Sequence, residues 1–208
     1  ATVITAYEER KAAGGLDVGK YVRYHNFTFN DVAGTNDPIG CIISNPQENG
    51  RRVRFVTQGS PGPNSGLRWA VFWKEGEFTE GGPSDIVTRL GYTDFTRANL
   101  TPAVDAACNA ADFDAAEALA NAPALNLSHD TQNMGDLTAT TGLNEIEDSR
   151  AHRGLLRGDD LYVGWSYTPD WALARFTELE NYNFWFRHFR AATDTWDMPV
   201  NLSNIEDP

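Results

Sequence analysis

Residues 67–75 read LRWAVFWKE, and after EGGP at 80–83 the chain resumes with SDIVTRLGY at 84–92. Leu67, Trp69, Val71 and Trp73 recur at every second position, the period of a strand, which sends alternate side chains to opposite faces. The same period runs through VITAYEE (3–9), KYVRYHNFTF (20–29), RRVRFVTQ (51–58), DLYVGWSYT (160–168) and YNFWFRHFR (182–190). Turn chemistry separates these stretches, notably GSPGPNSG at 59–66 and GDD at 158–160. Short strands with few helices predict an all-β, antiparallel fold.

One segment departs from that period. Thr101 is a capping residue, Pro102 suits the first helical position, and Val104, Cys108, Ala111, Ala115 and Leu119 fall on one helical face before Pro123 ends the run. This predicts a helical insertion over about 101–122, packed on the sheets. Residues 129–152 have weak periodicity and are expected to form a long ordered loop.

Three two-strand stretches can be laid over one another: ITAYEE with KYVRYHNF, AVFWKE with SDIVTRL, and YVGWSY with YNFWFRHF. In each, an apolar strand ends in an aromatic and then polar residues, and a second strand carries an arginine. The second and third run on to Asn99-Leu100-Thr101 and Asn201-Leu202-Ser203, and Asn126-Leu127-Ser128 is a further copy of the tripeptide. With Asn26-Phe27-Thr28 these also satisfy the Asn-X-Ser/Thr glycosylation pattern, although a tripeptide closing a repeated unit needs no glycan to explain it. Units of three to four strands and roughly 40–50 residues are what a β-propeller blade supplies. The expectation is β-propeller-like antiparallel blades in a single domain, 1–208, of about four blades, or a part of a larger propeller.

The chain has 208 residues, 41% of them hydrophobic, enough to bury a core. Its formal net charge of −12 repels phosphate backbones and anionic lipid, which argues against a nucleic-acid partner. No stretch approaches the ~20 apolar residues of a membrane span. A first residue Ala1 rather than Met points to processing. Cys41 and Cys108 are either two small buried hydrophobes or one structural disulfide of an oxidising compartment.

The stretch TWDMPVNLS (195–203) resembles the close of a bacterial-neuraminidase repeat, the unit of sialidase-type propellers. Of that repeat's aspartate box, Ser-x-Asp-x-Gly-x-Thr-Trp, only Thr195 and Trp196 are matched. LDVGKYVRYHNFTF (16–29), NPQENGRRVRFVTQ (45–58), GGPSDIVTRLGY (81–92) and AHRGLLRGDDLYVGWSYTPDWALAR (151–175) resemble the choice-of-anchor O family of large secreted bacterial proteins, over about half of the chain and in family order. The resemblance implies a propeller-like fold and a secreted, periplasmic or cell-surface location, and it transfers no catalytic residue.

Sialidase-type chemistry sets a test: three arginines converging on a carboxylate, with a tyrosine nucleophile paired to a glutamate. Arg23, Arg52, Arg54, Arg68, Arg89 and Arg187 lie on strand stretches, and Tyr162, Tyr167 and Tyr182 are the nucleophile candidates. Strict alternation puts Arg52 and Arg54 on one face and Arg51, Val53 and Phe55 on the other. Tyr167 and Trp171 flank Pro169 in a loop that either stacks on sugar faces or tucks between blades. The four histidines show no metal-binding spacing. Calcium suits the clustered oxygens of Asp130, Asn133 and Asp136, and of Asn144, Glu145, Glu147 and Asp148, the alternative being solvated acidic loops.

The function expected is that of a noncatalytic secreted or surface module engaging other protein chains, further blades or extracellular polysaccharide. The alternatives are a glycoside hydrolase of sialidase-like architecture and an accessory subunit of an extracellular surface assembly.

Overall fold

The computed structural model describes residues 2–13, 16–28, 41–45, 48–76, 82–92, 124–133, 135–139 and 146–207. The expected helix at 101–122, Asn99-Leu100-Thr101, Cys108, Asn144 and Glu145 lie outside them, as does the side chain of Cys41.

The described chain is all-β. Strands β1 (Thr2–Ala13), β2 (Leu16–Thr28) and β3 (Cys41–Ile42) form an antiparallel sheet. A second sheet begins with β4 (Asn49–Thr57), β5 (Leu67–Gly76), β6 (Ser84–Tyr92) and β7 (Leu125–Asn126) as one antiparallel ribbon. It continues with β8 (Asp148–Arg157), β9 (Asp160–Thr168) and β10 (Asn183–Arg190), which carries the short strands β11 (Thr195–Trp196) and β12 (Val200–Asn201). The two ribbons meet side by side through one parallel pair, Ser84 with Asp148. Among the described residues neither sheet closes into a barrel.

The three stretches aligned above share one register. Glu8 faces Val22, Lys74 faces Ile86, and Ser166 faces Phe184. Each second strand then receives a short strand, followed directly by Ile43-Ser44, Leu127-Ser128 or Leu202-Ser203. The backbone N–H groups of Ile43, Leu127 and Leu202 donate to the carbonyls of Val22, Ile86 and Phe184. The three serine hydroxyls accept the N–H of those same residues, at 2.9, 2.8 and 2.8 Å. Asn126-Leu127-Ser128 therefore stands in the second ribbon where Asn201-Leu202-Ser203 stands in the third. The Asn126 side chain is buried on Asp85, so in the folded chain it is closed to a glycan.

Period-two alternation on β5 feeds two cores. Trp69, Val71 and Trp73 pack with Val22, Tyr24 and Ile43. Ala70 and Phe72 pack with Ile86 and Leu127 against Leu161, Val163 and Trp165. A strand buried on both faces reads as a nearly continuous apolar run, which is why residues 69–73 hold no polar side chain.

The long loop expected at 129–152 is corrected in part, since residues 148–152 already belong to β8 (Asp148–Arg157), while 134 and 140–145 lie outside the described residues. A bulge between Arg150 and Arg153 breaks its alternation and hides the strand period. Strand β8 crosses close over β5: a Cβ on Gly154 would lie 2.5 Å from the Phe72 ring. The turns at 59–66 and 158–160 fix that crossing, with the Asp159 carboxylate accepting from the backbone and side chains of Asn64 and Ser65.

Candidate functional site

Two β-bulges create a strongly charged concavity. On β4, Arg51 pairs Lys74 and Arg54 pairs Phe72, so Arg52 and Val53 together oppose the single residue Trp73. On β8, Arg150 pairs Ser166 and Arg153 pairs Gly164, so Ala151 and His152 oppose Trp165. Each bulge places a non-glycine residue in the left-handed region, Arg52 at φ 60° and Ala151 at φ 55°, at a cost of roughly 1–2 kcal/mol. Bulges re-aim side chains, and here both aim cations into one space. A pocket of about 410 Å³ is lined by Arg51, Arg52, Arg54, Lys74, Arg150 and Arg153, with His152 in its wall and Asp148 as its lining acid. Arg51 thus joins Arg52 and Arg54, where unbroken alternation would have turned it away.

The acid is fully engaged. Asp148 Oδ1 accepts from Lys74 Nζ at 2.7 Å and Ser84 Oγ at 2.9 Å, and Oδ2 accepts from the Tyr182 hydroxyl at 2.7 Å. Arg150 lies over the Tyr182 ring, 3.4 Å from its centre. Burial pushes the Lys74 ammonium below its ordinary pKa, and Asp148 opposes that shift. Burial, followed by the charges of Arg54 and Arg153, holds the His152 imidazole down to about 4, so it is neutral at pH 7. Its Nε2 is buried without a hydrogen-bond partner among the described residues.

That depression has a stability consequence. The unfolded chain takes up the histidine proton near pH 6.5 and the folded chain only near 4. Stability held at pH 7 is therefore lost as the pH falls through that window, by at most about 3 kcal/mol. Thermal unfolding followed between pH 7 and 4 should show this fall, and His152→Gln should remove that part of the slope.

The remaining expected site residues are dispersed. Tyr167 is buried and donates its hydroxyl to Glu147 Oε2 at 2.8 Å, its phenol pushed up by burial and that carboxylate. It therefore tucks into the core and offers no face to a sugar. Trp171 is half-buried, edge-on to Phe176 and away from the arginines' pocket. Tyr162 stacks on His188, with ring centres 4.3 Å apart.

The acidic loops also rearrange the expected metal ligands. Asn133 Nδ2 donates to Asp130 Oδ1, and Asp136 Oδ1 accepts from Thr138. Glu147 and Asp148, adjacent in sequence, serve different sites. Asp148 enters the cationic pocket, and Glu147 turns to Asp85 and His129. Glu147 accepts the Asp130 N–H at 2.8 Å, and its carboxyl is pushed up by burial and by Asp85.

Arg51, Lys74, Arg150, Arg153, Asp85 and His129 escaped sequence reasoning. A signal for the arginines was present: RRVR at 51–54 and RAHR at 150–153 share the spacing Arg-x-x-Arg. No family model, curated protein or solved structure matches this chain.

Proposed function

We propose that this chain is a noncatalytic, propeller-type binding module of a secreted or surface protein, whose cationic pocket takes an acidic extracellular polysaccharide. The observation that carries the reading is the convergence of arginines from both bulged strands in a chain whose net charge is −12. A guanidinium fork matches a carboxylate or sulfate bidentately. The lining acid is already neutralised by Lys74, and the buried His152 Nε2 adds a polar group in the wall. At about 0.1 M salt, acids more than ~10 Å away are screened, while contacts inside the pocket persist. The shared register of the three ribbons supports their reading as consecutive blades. The resemblance to choice-of-anchor O proteins supports the extracellular setting.

The test is binding of polygalacturonate and dextran sulfate, with neutral dextran as control, by affinity electrophoresis and calorimetry. Saturable binding of a polyanion that weakens with salt is expected. Arg54→Ala with Arg153→Ala should weaken it at least about tenfold, the equivalent of roughly 1.4 kcal/mol. Equal binding by that double variant, or none by the wild type, overturns the assignment.

One observation favours the sialidase-like hydrolase instead, namely that Tyr182 and Arg150 lie together beside the pocket. Against it, burial and then Asp148 hold the Tyr182 phenol protonated well above the ordinary range. Turnover of a fluorogenic sialoside that is lost in Tyr182→Phe would move the assignment to the enzyme.

A further inference from the structure

We propose that Asp85, His129 and Glu147 form a binding site for a divalent transition-metal ion of the zinc or manganese class. The three residues lie far apart in sequence, and the fold assembles them. Asp85 sits near the start of β6, His129 follows the short strand β7 that pairs with β6, and Glu147 immediately precedes β8. His129 Nδ1 is 3.2 Å from Glu147 Oε1 and 3.7 Å from Asp85 Oδ2, and one ligand atom from each residue lies within 4.8 Å of the others. Tetrahedral zinc, with bonds of about 2.0–2.1 Å, sets its ligand atoms roughly 3.3 Å apart, close to the two distances that His129 Nδ1 makes here, and binding would draw the two carboxylates together around it. An imidazole nitrogen with two carboxylate oxygens suits zinc or manganese, whereas calcium requires an all-oxygen shell.

The third ribbon shows what the local fold needs without such a site. There Asn183 stands where Asp85 stands, and its Oδ1 accepts the Ser203 hydroxyl at 2.9 Å, as Asp85 Oδ1 accepts the Ser128 hydroxyl at 2.9 Å. Asn201 Oδ1 accepts the N–H of Asn204 at 2.9 Å, as Asn126 Oδ1 accepts that of His129 at 3.0 Å. The turn is therefore built equally well with neutral amides. A wholly buried carboxylate at 85, a largely buried one at 147 and an imidazole between them are additions the turn does not require. Burying two carboxylates together is costly unless a cation compensates them. Outer hydrogen bonds already orient the ligands. Asn126 Nδ2 donates to Asp85 Oδ2 at 2.7 Å, and the Tyr167 hydroxyl and Asp130 N–H donate to Glu147, the kind of support that ligating carboxylates receive.

The test exploits the internal comparison. Asp85→Asn and His129→Asn install the residues that the third ribbon uses, so the turn is retained; circular dichroism and metal-free melting check this. The full chain, stripped with a chelator and dialysed, is titrated separately with Zn²⁺, Mn²⁺ and Ca²⁺, with bound metal counted by mass spectrometry. One Zn²⁺ or Mn²⁺ per chain is expected, raising the melting temperature, with affinity falling at least about 100-fold in either variant. Co²⁺ should give the intense visible bands of a tetrahedral site, which His129→Asn removes. No saturable binding of Zn²⁺ or Mn²⁺ at about 0.1 mM overturns the proposal. So does a preference for Ca²⁺, or binding that both variants leave unchanged.

Discussion

Asp148→Ala is expected to lower the unfolding free energy by about 3–5 kcal/mol, the range for breaking a buried ion pair by removing one partner. Three donors converge on this carboxylate, and two of them, Lys74 and Ser84, come from the neighbouring ribbon. Removing it strands a buried ammonium whose pKa burial already lowers, with Arg51 and Arg150 acting on it in the same direction. Tyr182 loses its acceptor and Ser84 keeps only the Gly82 carbonyl at 3.2 Å, and an unsatisfied buried polar group carries its own desolvation cost of roughly 1–3 kcal/mol. Asp148 is also the residue through which the two ribbons of the larger sheet pair, so the loss acts at their junction. Denaturant unfolding should show a lower midpoint. Asp148→Leu with Lys74→Met should recover much of the loss, because an apolar pair of similar volume avoids burying charge. An Asp148→Ala cost below about 1 kcal/mol would mean that Lys74 is hydrated or paired elsewhere.

What the sequence revealed and what it hid follow from the range of the interactions concerned. The alignment of ITAYEE, AVFWKE and YVGWSY coincides with the structural register because each is a half- or fully buried strand, and burial imposes the period. DSRAHRGLLR escaped because its bulge offsets the period at Ala151 and its exposed side is charged. The pocket needed two such bulges to face each other, so Arg52 and Arg54 were visible as candidates while Arg150 and Arg153 were not. Asp85 lies far from His129 and Glu147 in sequence, and the β6–β7 pairing brings the first two together. Both readings of Tyr167 stayed open in the sequence because strand alternation fixes a side chain's parity without saying whether its face meets solvent or a neighbouring ribbon.

The shared register also predicts an asymmetry between equivalent residues. Val22, Ile86 and Phe184 occupy one position in the three ribbons, and Ile43, Leu127 and Leu202 another. Within the described chain the first two members of each set are covered by the following ribbon, while Phe184 is 38% and Leu202 58% exposed. Leu127→Ala should therefore cost about 2–5 kcal/mol through lost burial and the cavity it leaves. Leu202→Ala in the same chain should stay within about 0.5 kcal/mol, the range for surface positions. Unfolding of the two variants in parallel compares the same residue, the same backbone hydrogen bond and the same serine neighbour, differing only in what lies above. If Leu202→Ala costs as much as Leu127→Ala at the protein concentration used, the third face is covered in solution, by association that dilution should reverse. If the two differ as expected, the third ribbon presents an apolar face of the kind that, twice within the described chain, another ribbon buries, which is the face the module proposed above would use to meet a further ribbon.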